Sequence, residues 1–128
     1  MSHSAWTYVV HEQGGHRTAE VQADGIVVRS AADMLDIVGS VIWNDTADSI
    51  AVHERDITPE FFDLRTGIAG DILQKCSNYQ FRLALIGAFD AYPSASLQAF
   101  IRECNRGRHV VFVDAVQEAL DMWGGEVR

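Results

Sequence analysis

The side chains best suited to chemistry gather at the end of the fourth predicted strand and in the segment that follows it. Four acid–base groups occur there: His53, Glu54, Asp56 and Asp63. Acid–base catalysis or metal binding requires such groups to converge within a few ångströms. His53 and Glu54 are adjacent, so on an extended strand only one of them can face a given pocket. One hypothesis is therefore a pocket under segment 54–66 in which His53 or Glu54 is the base and Arg65 clamps an anion. The alternative is a solvated charged loop in which Asp63 pairs with Arg65 or Arg82.

Thr66 and Gly67 form a second candidate site at the predicted start of a helix. A hydroxyl at a helix N-terminus lies in partial positive charge, which would stabilise a phosphate or another anion. The alternative is an ordinary Thr N-cap, which contributes about 1 kcal/mol. Gly67 could admit a ligand, or could simply allow the helix to pack closely against a sheet.

A third candidate is the basic group at the end of the next predicted helix. Arg102 and Arg106 are four residues apart and share a helix face, and Arg108 follows Gly107, the predicted left-handed stop. Arg106 and Arg108 could hold a small anion or an acidic partner. The alternative is the favourable placement of cations near a helix C-terminus.

No spacing in the chain predicts a metal or a cofactor. There is no His-Glu-x-x-His motif and no paired-Cys motif. Cys76 and Cys104 fall in predicted helices and are expected to be free thiols in a reducing cytoplasm. The other histidines (His3, His11, His16 and His109) have no ligand spacing and are interpreted as surface or edge residues.

Strands and helices must position these candidate residues, and the spacing of hydrophobic residues along the chain predicts where those elements lie. Strands are predicted at Ala5–His11, Thr18–Gln22, Ile26–Val28, Ser49–His53, Phe81–Ile86 and His109–Val113, and helices follow Ser30, Thr66, Ser94 and Asp114. The order β-β-β-α-β-α-β-α-β-α predicts an α/β fold with a mainly parallel, mixed sheet and an N-terminal antiparallel meander. Thr58 and Pro59 predict a short helix inside segment 54–65.

Ligands in open α/β sheets bind beyond the carboxyl ends of the parallel strands, which here include segment 54–65. Of the adjacent Phe61 and Phe62, one is expected to pack on the core while the other contacts a partner. Tyr8 and Trp43 are expected in the core.

Size and charge limit the classes of function. The 128 residues are interpreted as one domain, 1–128, and 48% apolar residues suffice for one core. The net charge of -8 argues against binding to nucleic acid or anionic lipid. No segment resembles a secretory signal or a membrane span, so a cytoplasmic location is expected.

Segment 61–75, with Asn78-Tyr79, Arg82-Leu83-Ala84, Pro93-Ser94 and residues 105–108, closely resembles an uncharacterised bacterial family, domain of unknown function 4180. The resemblance covers residues 10–122. That family carries no established activity, so the resemblance implies no mechanism.

The element order and the run Thr66-Gly67-Ile68-Ala69 also resemble the STAS domains of anti-sigma-factor antagonists. Those domains carry a phosphorylatable Ser or Thr at this helix start, a place that Thr66 would occupy. The chain departs from them in the long segment 54–65 and in Arg65, which replaces an Asp.

Two classes of function follow. The preferred hypothesis is a non-catalytic, STAS-like regulatory or binding module that acts through the surface 54–70 on a protein partner or a small anionic ligand. The alternative is a small enzyme or small-molecule-binding protein with its pocket under segment 54–66. A homodimer formed through an exposed sheet edge or through Phe61-Phe62 is compatible with both.

Overall fold

The computed structural model describes residues 6–124, in which five strands form one mixed sheet. The elements are β1 Trp6–Gln13, β2 His16–Ala23, α1 Ala31–Val41, β3 Ser49–His53, α2 Ile68–Tyr79, β4 Arg82–Ile86, α3 Ala95–Gly107, β5 Val110–Val113 and α4 Val116–Gly124. Strands lie side by side in chain order; β1 and β2 are antiparallel, and β2 to β5 are parallel. The predicted α/β class with its mainly parallel sheet is confirmed. We call the edge where β2 to β5 end the carboxyl rim, and the opposite edge the amino rim.

A two-residue turn sets the register of the N-terminal hairpin. Gly14 and Gly15 have φ values of 62° and 83°, the positive pair that a type I′ turn needs. Pairing then runs without a bulge from Gln13 opposite His16 to Trp6 opposite Ala23. β1 therefore lies at the outer edge of the sheet.

The two faces of the sheet are covered unequally. Helices α1, α2 and α3 pack on one face, which we call the helical face, around Ile50, Leu83 and Phe112. Among the described elements, α4 alone packs on the other, the open face, where Ala119 and Trp123 cover small and β-branched strand residues. The Trp123 indole N–H also donates to the Arg108 carbonyl at 2.9 Å. The part of the open face nearest β1 and the carboxyl rim stays accessible.

Helix starts match the expected caps at two of the three places where the cap is described. Ser30 accepts from the Asp33 N–H, and Ser94 accepts from the Leu97 N–H. At α2 the N-cap is Gly67, with φ 81°, and not Thr66. The chain turns sharply between the Leu64–Thr66 turn and α2, which requires a positive φ at the N-cap. Glycine adopts a positive φ without steric cost.

Two other expectations about the elements were wrong. Ile26–Val28 is not a strand, since only Val28 forms a bridge, with Ile57. The segment that Val28 meets, 54–66, folds into three short 3-10 helices: Glu54–Asp56, Pro59–Phe62 and Leu64–Thr66. It therefore offers no extended strand with which Ile26–Val28 could pair. The predicted left-handed stop of α3 is Arg108, φ 63°, and not Gly107, which remains helical.

Aromatic placement also corrects the sequence interpretation. Phe61 and Phe62 are both buried, because the Pro59–Phe62 turn lies over the ends of the strands and directs both rings inward. The Phe62 ring stacks on Tyr92 at 4.9 Å between centroids. Trp43 is 59% exposed and Tyr8 38% exposed, so neither is a core residue. Trp43 lies in the turn after α1 and makes an edge-to-face contact with Tyr79, and Tyr8 lies on the edge strand.

Candidate functional site

A carboxylate shared by two imidazoles lies on the open face. The Oε1 atom of Glu20 is 2.8 Å from His11 Nε2, and its Oε2 atom is 2.7 Å from His53 Nε2. The three side chains are largely buried, with 14% of Glu20, 20% of His53 and 29% of His11 exposed. Since an ionised carboxylate only accepts hydrogen bonds, each imidazole donates its Nε2 proton to Glu20, and this bond orients the ring.

Strand register produces this cluster. Glu20 stands opposite Val9 on β1 and Ala51 on β3. His11 lies two residues from Val9, and His53 lies two residues from Ala51. Side chains two residues apart share a face, so both imidazoles project on the same side as Glu20. Three consecutive strands each contribute one member.

Opposing effects set the ionisation of Glu20. Burial alone would raise the pKa of this carboxyl, but the hydrogen bonds from His11 and His53 outweigh it and hold the pKa below the usual 4.5. Glu20 is therefore ionised in the folded protein at neutral pH and fixes the orientation of both rings.

Two clefts flank His53 at the carboxyl rim. The β2–β3 cleft, of about 560 Å³, is lined by Thr7, Glu20, Gln22, Asp24, His53 and Arg55 among others. The β3–β5 cleft, of about 420 Å³, shares Glu20 and His53 and reaches residues 114–116, at the start of α4. His53 therefore lines both clefts, and its imidazole can contact a molecule bound in either of them.

Asp56 is a buried carboxylate close to this cluster. It is 0% exposed, and neither of its oxygens has a hydrogen-bond partner among the described residues. Arg55 Nε is 3.9 Å from its Oδ1. Burial raises the pKa of Asp56 above 3.8, and the attraction of Arg55 and His53 offsets this only in part.

Glu54 and His53 both line the β3–β5 cleft, so the expectation that only one of them can face a given pocket was wrong. Glu54 begins a 3-10 helix, so the alternation of an extended strand does not apply to it. Its Oε2 accepts a hydrogen bond from the Tyr92 hydroxyl, and its Oε1 accepts from the Ala88 N–H at 3.3 Å. A Cβ on Gly87 would lie 2.4 Å from Oε1 of Glu54, so glycine is needed for this close approach. Glu54 joins the end of β3 to the β4–α3 loop.

The outer part of segment 54–66 carries the predicted Asp63, Arg65 and Thr66. Asp63 and Arg65 form a two-pronged ion pair, with Nε to Oδ1 and Nη2 to Oδ2 both at 3.0 Å. The Thr66 hydroxyl is 2.9 Å from the carbonyl oxygens of Glu60 and Asp63, and it accepts from the Ile68 N–H. Asp63 and Arg65 also line a cleft of about 430 Å³ with residues 92–97.

The predicted residues do not form one site. His53 and Glu54 begin the carboxyl-rim segment, and Asp63, Arg65, Thr66 and Gly67 end it. Arg106 lies in the last turn of α3 and Arg108 directly follows that helix, before β5, so both are at the amino rim. Arg106 pairs with Glu103 at 2.7 Å.

Sequence reasoning missed Glu20 and His11. The available signal was the polar alternation of β2, in which Thr18, Glu20 and Gln22 share one face and Ala19 and Val21 the other. The same parity on β3 puts His53 on that polar face. The third member required the hairpin register, which was predicted only as a turn.

Metal binding and membrane crossing each require a particular arrangement of residues. Within residues 6–124, no three His, Cys, Asp or Glu side chains are arranged so that they could hold a metal ion. No helix in the described part of the chain has the length and apolar character that crossing a membrane requires.

Comparison with known proteins gives a family. No curated protein and no solved structure matches the chain, so the resemblance to STAS domains receives no support from these comparisons. The model of one family matches residues 13–123, nearly the whole chain. The chain therefore belongs to the family described as domain of unknown function DUF4180.

Proposed function

We propose that the chain is a non-catalytic binding module that recognises a protein partner at the carboxyl rim, through the surface formed by residues 60–67. The observation that carries the proposal is the burial of both Phe61 and Phe62. These rings fix the segment to the core, so the charged and hydroxyl groups that follow them are held in set positions. A pre-ordered surface loses little conformational entropy on binding.

The polar groups of this surface suit recognition. Arg65 is 91% exposed, while its guanidinium is oriented by Asp63. Hydrogen bonds from Arg65 hold the pKa of Asp63 below 3.8, so the pair stays charged over the physiological range. An oriented guanidinium favours partners that present carboxylates or backbone carbonyls.

Thr66 is the element through which this surface would be regulated. Its hydroxyl proton is donated within the Leu64–Thr66 turn, to Glu60 O or Asp63 O. A phosphoryl group would remove that donor and add negative charge near Asp63, which opposes the present turn. Charge change at Thr66 thus alters the surface without disturbing the core.

Affinity capture with four proteins tests the proposal. The wild type is compared with Thr66→Ala, Thr66→Glu and Ser77→Ala; the last removes an exposed hydroxyl from α2 away from the rim. We expect Ser77→Ala to retain the wild-type partner, Thr66→Ala to bind it several-fold more weakly, and Thr66→Glu to lose it. Identical partners and affinities for all four would remove Thr66 from the mechanism, and an Arg65→Ala variant that also bound normally would overturn the proposed surface.

A second function, from the enzyme class, is favoured by one specific observation: the Glu20–His53 pair. We infer that His53 Nδ1, with Glu20 holding Nε2, would act as a general base on a small molecule bound in the β2–β3 cleft. The carboxylate would stabilise the imidazolium that forms. This reading keeps His53 as the base and replaces Glu54, which is engaged with Tyr92.

A small-molecule screen distinguishes the two functions. Protein-observed NMR on the wild type should find compounds that shift the amide signals of Gln22 and Arg55, and His53→Gln should reduce the affinity for these compounds. His109→Gln, which alters a histidine at the amino rim, is the matched control. Compounds that bind equally to His53→Gln, or that shift no signal from the cleft, would reject the acid–base function.

A further inference from the structure

The outer edge of β1 is a long, regular and unprotected strand edge. Within residues 6–124 no strand pairs with that side of β1, since β1 is the first member of the sheet order. β1 has eight residues without Pro, Lys or Gly, and its register with β2 is continuous. Pro, Lys and bulges are the usual means by which proteins keep edge strands from pairing. Tyr8, Val9 and Val10 are about 40% exposed at the centre of this edge.

The turn determines which backbone groups are free. A two-residue hairpin turn closes on a hydrogen-bonded pair, and such pairs recur at every second residue. Gln13, His11, Val9 and Thr7 therefore bond to β2. The N–H and C=O groups of Trp6, Tyr8, Val10 and Glu12 point away from the sheet, which makes four donors and four acceptors available on one edge.

This edge is complementary to itself. An antiparallel copy related by a twofold axis at Val9 would place Tyr8 opposite Val10 and Trp6 opposite Glu12, so all four outward residues are matched. Val9 would face Val9 of the second copy on the open face. The one carboxylate of β1, Glu12, would face an aromatic ring and not another carboxylate, so no like charges oppose each other.

We propose that two copies of the chain pair through β1 in this register and form one continuous ten-stranded sheet. The partner is a second copy because three properties of the edge match at the same register. The outward backbone groups of the two copies pair, apolar side chains lie opposite each other, and no like charges are opposed. An isologous pair of this kind closes on itself and leaves no free β1 edge. Thr7 of each copy would lie opposite His11 of the other, so the two β2–β3 clefts would adjoin the seam.

Disulfide trapping tests the register. Residues opposite each other in a non-hydrogen-bonded antiparallel pair have Cα atoms about 4.5 Å apart, within disulfide range. Val9→Cys should therefore form a covalent dimer under mild oxidation. Val10→Cys is the matched control, because its equivalent in the second copy lies diagonally, about 7–8 Å away. The wild type, with Cys76 buried and Cys104 half-buried, gives the background.

Proline substitution tests the edge itself. Val10→Pro removes an outward N–H that the hairpin does not use, so the chain should fold and remain monomeric by light scattering across a dilution series. Val9→Pro removes an N–H that bonds to β2 and should reduce stability. That loss would support the assignment of which β1 residues bond to β2 and which point outward. Val10→Lys should fold as the wild type and also be monomeric.

Three results would overturn the proposal. A wild type that is monomeric at every concentration excludes self-pairing. A dimer that persists in Val10→Pro and Val10→Lys uses another surface. Equal cross-linking of Val9→Cys and Val10→Cys rejects the register. Because the dimer would bring together two chains of net charge -8, its dissociation constant should fall as salt is added, whereas a dimer held by ion pairs would weaken.

Discussion

The Tyr92 hydroxyl donates a hydrogen bond to the Glu54 carboxylate, and this bond joins two loops of the carboxyl rim. Glu54 follows β3 directly, whereas Tyr92 ends the short Phe89–Ala91 helix before α3. The Tyr92 ring also stacks on Phe62, so one side chain connects the polar and aromatic parts of the rim. Burial and the Glu54 hydrogen bond raise the pKa of Tyr92 to about 12.

Replacement of Tyr92 by Phe should reduce the free energy of unfolding by about 1–2 kcal/mol, since Glu54 loses a donor while the ring stacking is retained. The protonated Tyr92 hydroxyl stabilises the folded state below pH 10. This stabilisation is lost as pH rises from about 10 to about 12. Denaturant unfolding against pH should show this decline in the wild type and a smaller one in Tyr92→Phe. Parallel declines would contradict the assigned cause.

A methyl group at Gly87 should disturb the same junction. Its Cβ would lie 2.4 Å from Oε1 and 2.7 Å from Cβ of Glu54, and the latter cannot move without the backbone. Gly87→Ala should therefore cost about 1–3 kcal/mol in thermal or denaturant unfolding. Gly70→Ala is the control, because nothing lies within 4 Å of its Cβ and it is in α2. That variant should gain about 0.5–1 kcal/mol; a loss in both variants would indicate a different origin.

Glu20→Gln should weaken the His11–Glu20–His53 cluster, because an amide offers one acceptor oxygen and cannot accept from both rings. We expect a loss of about 1–3 kcal/mol near neutral pH. Since the folded pKa of Glu20 is lowered, its contribution is complete above pH 4.5 and disappears as pH falls through the folded value. Urea unfolding should show that the variant and the wild type converge in acid. Glu12→Gln, on the exposed side of the hairpin, should change little.

Asp56→Asn should stabilise the protein at neutral pH by about 1–3 kcal/mol, because it removes a buried charge that lacks hydrogen-bond partners. The folded pKa of Asp56 is raised, so the wild type loses stability as pH rises from 3.8 through the folded value. The gain from the substitution should accordingly grow with pH over that range. Asp36→Asn, on the exposed side of α1, is the matched control. A destabilised Asp56→Asn would imply an essential role for the negative charge.

Much of the fold could be predicted because its signals are local. Ser30 and Ser94 cap helices where a hydroxyl precedes an apolar periodic run, and Pro59 begins a short helix after Thr58. The strand predicted at Ile26–Val28 does not form, and the reason is non-local. Its apolar composition suits a strand, but the chain that it meets at Ile57 is helical on both sides, so pairing stops after one residue.

The candidate site was harder to predict because its members meet across strands. His53 was found from its position after an apolar run, whereas Glu20 and His11 acquire meaning only from the register of three strands. Phe61 and Phe62 show a related limit. Alternation would expose one of two adjacent rings on a strand, but a tight helical turn directs both toward the core.

Helix α4 contacts the turn between β1 and β2. The Gln13 amide donates to Asp121 at 2.8 Å, Gln117 donates to Gln13 at 2.9 Å, and a Cβ on Gly14 would meet the Gly124 backbone at 2.7 Å. Gln13 and Gln117 are 104 positions apart, so during synthesis the hairpin gains this support only after α4 has followed it. A nascent chain halted before Gln117 would leave Ala51 and Ala84 uncovered, and would be a substrate for chaperones until α4 arrives.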